Sequence, residues 1–152
     1  MPELDRTEVL VAVTRALAED LADGEPEDAV DVPEAETGRG VIVCRAPGVL
    51  AGVPVAREAF GRVGVRLRPL VGEGTAARRD EPVAEVGGSV RAMLAARATA
   101  VGFLERLSAV ASGCREPEPG DALDAYAAAF ARPVPFSSDN GPRFELKLEA
   151  TG

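Results

Sequence analysis

Arginines and carboxylates carry whatever chemistry this sequence holds, because it contains no histidine. That removes the Ser-His and Cys-His nucleophile pairs, the commonest general base and the commonest zinc ligand. Arg97 stands out, since a helical pattern places it inside an apolar arc between Leu94 and Val101. A guanidinium there is costly unless paired, and its planar fork suits a carboxylate bidentately. It can therefore bind a small acidic ligand or a partner's carboxylate. The plainer alternative is a snorkelling arginine, or one paired internally with Asp20 or Glu58. Glu19-Asp20 is a possible acid/base pair, or simply part of a solvated helix face. Cys44 is a nucleophile only if arginines such as Arg45 activate it; otherwise it is a core thiol. Cys44 and Cys114 are too far apart in sequence for metal-ligand spacing and read as reduced, partly buried thiols. Ser137-Ser138-Asp139-Asn140-Gly141 is turn chemistry first and a ligand loop second.

The element that must position these residues is Ser89 to Gly113. At about 100° per residue, Met93, Leu94, Ala96, Ala100, Val101, Phe103, Leu104, Leu107, Val110 and Ala111 share one broad arc. Arg91, Gly102, Glu105 and Arg106 fall opposite. Ser89 can cap this helix and Gly113 can stop it. A first helix runs from a cap at Asp5 or Thr7 to about Leu21, with Leu10, Val13, Leu17 and Leu21 on a narrow stripe. Asp23 to Arg39 reads as an acidic loop. Val41 to Cys44 is a buried strand, Val49 to Ala51 a second, and Pro54 suits a helix over Val53 to Phe60. Val63, Val65 and Leu67 alternate as a half-exposed strand. Gly72 to Pro82 is a polar loop, Val83 to Val86 another strand, and Gly87-Gly88 separates it from Ser89. Arg115 to Gly120 is a linker, and Asp121 to Ala131 a short helix carrying Leu123, Tyr126 and Phe130. Pro133 to Pro142 is turn-rich, and Phe144 to Leu148 alternates as a final strand. Short strands against one long buried helix make an α+β fold, not a parallel βαβ sheet.

The chain has 152 residues, 46% of them apolar, enough for one globular domain with a real core. A formal charge of −8 argues against nucleic acid and anionic membrane as partners. No apolar run approaches the roughly 18 residues of a membrane span. The acidic start MPELDRTEVL has no signal-peptide core, so the expected location is cytoplasmic. Lys147, the only lysine, sits in the terminal strand and not in a hairpin turn, which excludes a biotinyl or lipoyl carrier.

Four stretches in order carry a family resemblance. Ala16 to Leu21, ALAEDL, is similar to an opening "ALxEDLG" helix, and Val43 to Val55, VCRAPGVLAGVPV, to "xARExGVLAGxxV". Val71 to Val83 takes the place of a "DGxxVxxGxxL" loop, with Asp80 at its second glycine. Gly88 to Ser112 is similar to "GxxRxLLxxERxALNFLxxLSGIAT". Together they resemble the N-terminal domain of nicotinate-nucleotide pyrophosphorylase, also called quinolinate phosphoribosyltransferase, over about residues 7 to 114. The resemblance implies that domain's α+β fold, a sheet or sandwich on one long helix. It adds Arg45 and Arg91, which match arginines common in the family, to Arg97 as candidate ligand-binding residues. Solvated charges are the alternative for both.

The departures shape the functional expectation. In the family an α/β barrel holds phosphoribosyl pyrophosphate and most of the basic residues around the pyridine dicarboxylate. Here Pro135 to Lys147, PFSSDNGPRFELK, resembles at best a stub of the first barrel unit. The N-terminal domain's own active-site arginine lies in the "ER" pair, which here becomes Arg97-Ala98. "GDxT" becomes Gly24-Glu25-Pro26-Glu27. With neither a polyphosphate cradle nor metal ligands in view, this chain alone is not expected to be that enzyme. No catalytic residue, metal or cofactor is assigned. Residues 1–114 are the family-like domain; 115–152 are a linker, short helix and terminal strand, the barrel stub being the alternative reading. The first functional expectation is a catalytically degenerate subunit or binding module, as a homodimer or in a hetero-complex with a barrel-type protein. The resembled enzymes are dimers in which one chain's N-terminal domain closes the other's barrel. The alternative is a small enzyme of a specialised biosynthetic pathway, with a pocket near Arg97.

Overall fold

Residues 2–134 and 140–149 are described by the structure, a computed structural model. The chain opens with α1 (Arg6–Asp20), whose first turn is capped by the Asp5 carboxylate accepting from Thr7 and Glu8. One helical turn, α2 (Glu27–Val30), interrupts the acidic stretch read as a loop. The strand expected over four residues runs for ten as β1 (Thr37–Ala46), then turns into β2 (Gly48–Val49). Next come α3 (Val53–Gly61), β3 (Arg66–Pro69), β4 (Ala76–Ala77) and β5 (Pro82–Ser89). The long helix α4 (Val90–Ala111), α5 (Ala122–Ala128) and β6 (Arg143–Leu148) complete the order.

Four strands form one antiparallel sheet in the order β3-β5-β1-β6, and β2 pairs with β4 apart from it. The inner sheet face carries Ile42, Leu67, Ala84, Val86, Phe144 and Leu146, all buried. This face lies against α4, which also touches α1, α2, α3 and α5. The apolar arc read from the sequence is therefore the core: Met93, Ala96, Ala100, Leu104, Leu107 and Ala111 are all but inaccessible. Ser89 Oγ accepts from Ala92 N–H to cap α4, and Gly113, at φ 73°, ends it.

Several boundaries differ from the sequence reading. Gly87 and Gly88 do not break the strand, because they pair with Arg39 and Gly38 inside β5. Gly88, at φ 141°, lets Gly64 O approach to 3.3 Å of where a Cβ would stand. Val63 lies in a turn, so the strand begins at Arg66. The loop expected over 72–82 holds β4, and Phe130 sits beyond α5, edge-on to Tyr126 at 5.2 Å. The final strand joins the main sheet beside β1. Ser137 to Asp139 of the turn expectation, and Pro135 to Asp139 of the stub, lie outside the described residues.

Candidate functional site

The VLAG stretch of the sequence match is a structural clasp. Val49 N–H donates to Ser112 Oγ at 2.8 Å and Ala51 N–H to Ser108 Oγ at 3.0 Å. Serines four apart on a helix rise about 6 Å, close to the two-residue step of an extended chain, so both bonds form together. Gly52, at φ 100°, then turns the chain into α3. A Cβ there would meet Leu107 Cδ1 at 2.9 Å. Being glycine, it offers no capping side chain, and Glu73 reaches in instead. Its carboxylate accepts from Gly52 and Val53 N–H at 2.9 and 3.0 Å, and from Tyr126 Oη at 2.5 Å.

The chain's own carboxylates engage all three candidate arginines. Arg91 holds Glu25 bidentately, at 2.9 and 2.8 Å, and its hydrogen bond keeps the Glu25 carboxyl below its ordinary pKa. Arg97 donates to Asp28 Oδ2 at 2.8 Å. Neither internal partner expected for Arg97 is used: Asp20 instead accepts from Thr99 Oγ1 at 2.5 Å, and Asp28 takes the arginine. Arg97 is also less buried than its place on the arc suggests, its side chain being 38% exposed. Arg45 bridges Asp80 at 2.8 Å and Glu145 at 3.4 Å.

These arginines do not converge on one ligand position. Arg97 lines a depression of ≈ 410 Å³ with Ala98, Val101, Gly102, Glu105 and Glu145. Arg45 reaches it only through Glu145, and Arg91 belongs to the α2 side. Glu105 is itself occupied, accepting from Phe144 N–H at 2.9 Å. Cys44 is fully buried, its thiol donates to Ala46 O at 3.1 Å, and burial followed by Glu81 raises its pKa to about 11. It is a core thiol, not a nucleophile. Among the described residues no cluster of Cys, Asp and Glu is placed to hold a metal ion.

Two arrangements escaped the sequence reading. Arg106, assigned to the solvated side of α4, is half-buried under α5, donating to Asp121 at 2.5 Å and to the inaccessible Asp124 at 3.1 Å. Asp121 and Asp124, three apart at a helix start, were the available signal. The second is a groove of ≈ 1220 Å³ along β3, floored by Val53, Leu67 and Val86 and flanked by Arg39, Arg57 and Arg66.

What these elements define is a helix-backed antiparallel α+β domain in which a GVLAG turn is clasped onto a long helix. The family model described as "Quinolinate phosphoribosyl transferase, N-terminal domain" matches residues 11–108, and the chain belongs to that family. The nicotinate-nucleotide pyrophosphorylase [carboxylating] of Mycobacterium leprae (strain TN) is 33% identical over 105 residues, 66% of this chain and 37% of that protein. The chain thus spans little more than a third of that relative. NadC from Streptococcus pyogenes superposes with a TM-score of 0.77 at 21% identity, covering 90% of this chain and 56% of that one. The nicotinate-nucleotide pyrophosphorylase from Francisella tularensis gives 0.77 at 21%, covering 87% and 54%. At such identities the superpositions speak for the fold alone.

Proposed function

We propose that this domain is a catalytically degenerate relative of the phosphoribosyltransferase N-terminal domain and acts as a cytoplasmic partner-binding module. Residues 1–114 form the family-like unit, and 115–152 complete it with α5 and β6. The partner is a barrel-type protein or a second copy, docked on α4 where Ala98 and Gly102 are exposed beside the half-buried Val101. One observation carries the reading. Arg97 is matched by Asp28 of its own chain, and the next residue, in the family's arginine position, is an exposed alanine. This surface has the small side chains of a contact face, and no cation on it is left for a substrate carboxylate. The alternative, a recruited biosynthetic enzyme, requires Arg97 to face an enclosed pocket. The small depression beside it, already carrying matched charges, favours the first reading.

Native mass spectrometry of the protein from its own host tests this. A complex with a barrel-sized protein or a homodimer, dissociated by Val101→Glu but not by Arg132→Glu, is expected. A monomer that turns over pyridine dicarboxylate and phosphoribosyl pyrophosphate overturns it.

A further inference from the structure

The sheet edge at β3 combines three properties. The first is charge. Twelve of the 25 carboxylates lie in the first 36 residues, against two of the 17 cations. The rest of the chain has a slight cationic excess, and part of it gathers here. Arg39 and Arg66 are both register partners of Gly87, so they flank a glycine on the outer sheet face. Strand spacing sets their Cα atoms about 10 Å apart. With Arg57 of α3 they line the groove, and among the described residues none of the three has an ion-pair partner. Arg68, one row on, is matched by Glu85.

The second property is an open backbone. β3 is the terminal strand of the sheet. Pro69 has no N–H, and Leu70 donates to Val83 O at 2.9 Å, so Arg66 and Arg68 are the residues bonded to β5. Leu67 therefore turns its N–H and C=O away from the sheet. The third is shape. The groove exceeds the size of ordinary small-molecule pockets and lies open along a strand, with the Arg39–Arg66 row on the outer sheet face and Val53, Leu67 and Arg57 on the α3 side.

From these we infer that the β3 edge and its groove form a docking site for an extended, acidic segment of a partner protein. The segment adds beside Leu67 as a further strand. Its alternate side chains meet the Arg39–Arg66 row on one face and the trough of Val53 and Leu67 on the other, which demands alternating acidic and apolar residues. The same arginines reject a second copy of this edge, because an antiparallel β3 would bring guanidinium against guanidinium. The groove shares no lining residue with the depression beside Arg97, so this inference stands or falls independently of the α4 contact.

The test is fluorescence anisotropy with a dye-labelled ten-residue peptide alternating Glu and Val, against its Lys-Val counterpart. Binding of the acidic peptide that weakens with salt is expected. It should fall at least about tenfold in an Arg39→Glu/Arg66→Glu variant and persist in Arg132→Glu. N-methylating alternate peptide amides should abolish it, since that removes strand pairing and leaves the charge. Thermal unfolding by circular dichroism establishes that the variant is folded, these positions being exposed. Equal binding of the Lys-Val peptide, indifference to the double variant, or full binding by the N-methylated peptide overturns the inference. So does displacement of the peptide by equimolar inorganic phosphate, which would make this a small-anion site.

Discussion

Ser108 of α4 and Ala51 of the GVLAG turn hold each other at both backbone groups. Ser108 Oγ accepts from Ala51 N–H at 3.0 Å and donates to Ala51 O at 3.1 Å, with both residues fully buried. Ser108→Ala leaves a buried N–H and C=O without that partner. It should lower unfolding stability by about 2 kcal/mol, measured by urea denaturation. Ser108→Thr keeps the hydroxyl but adds a methyl to a filled site, and should recover only part of the loss.

Gly52 is the turn's second constraint. It needs a left-handed φ of 100°, and its missing Cβ makes room for Leu107. Gly52→Ala meets both penalties and should cost about 2 kcal/mol in the same assay. Gly61→Ala, at a helical position with open space, should be neutral or slightly stabilising.

Stability should decline in alkali through two buried acids whose protonated forms the fold favours. Burial and then Glu81 raise Cys44 from 9.0 to about 11. Burial and then Glu73 also push the Tyr126 phenol upward. A raised folded pKa contributes stability that is complete below the unfolded value and is lost as pH climbs toward the folded one. The thiol's share should therefore be intact at pH 8 and disappear between pH 9 and about 11. Urea midpoints across that window measure it. Cys44→Ala should flatten the early part of the decline and Tyr126→Phe the later part, and unchanged slopes would refute the assignment.

How far the sequence could be read follows from how local each signal is. The α4 arc, its Ser89 cap and the Asp5 cap all depend on neighbours within one or two turns, and the structure keeps them. The strand read over Val49 to Ala51 instead shortens to Gly48–Val49, because Ser108 and Glu73, far along the chain, hold Ala51 and Gly52. Arg97 lay beyond that reach. Its partner Asp28 is 69 residues away, in a stretch whose Pro, Gly and Glu composition resembles a linker. Only when α2 packs on α4 do Glu25 and Asp28 meet Arg91 and Arg97. The Arg39–Arg66 row is equally hidden, because the register across Gly87 creates it and no spacing in the chain announces it.

Ion pairs of different burial should separate cleanly. Asp124 is inaccessible, accepting from Arg106 and from Glu118 N–H at 2.9 Å. Asp124→Ala leaves the half-buried guanidinium with Asp121 alone and the Glu118 N–H without its acceptor, and should cost about 2 to 3 kcal/mol. Arg97→Ala removes a pair in which both side chains are more than a third exposed, and should cost less than about 1 kcal/mol. If Arg97→Ala were the more damaging of the two in urea, the burial argument would be wrong.

Glu73 offers the most separable of these tests, because one carboxylate serves two elements that the sequence keeps apart. It closes the N-terminus of α3, where the helix dipole favours an anion and two backbone N–H groups otherwise lack partners. It also anchors α5 through Tyr126. Glu73→Gln keeps one acceptor oxygen, turns the other into a donor and loses the charge, so it should cost about 1 to 2 kcal/mol. Glu73→Ala loses both and should cost about 2 to 3 kcal/mol. Tyr126→Phe removes only the phenol bond, at about 1 kcal/mol. In the double variant Glu73→Ala/Tyr126→Phe the phenol bond cannot be lost twice, so the combined cost should fall short of the sum by roughly 1 kcal/mol. Strict additivity would mean that the α3 cap and the α5 anchor are independent, and that the carboxylate does not join them.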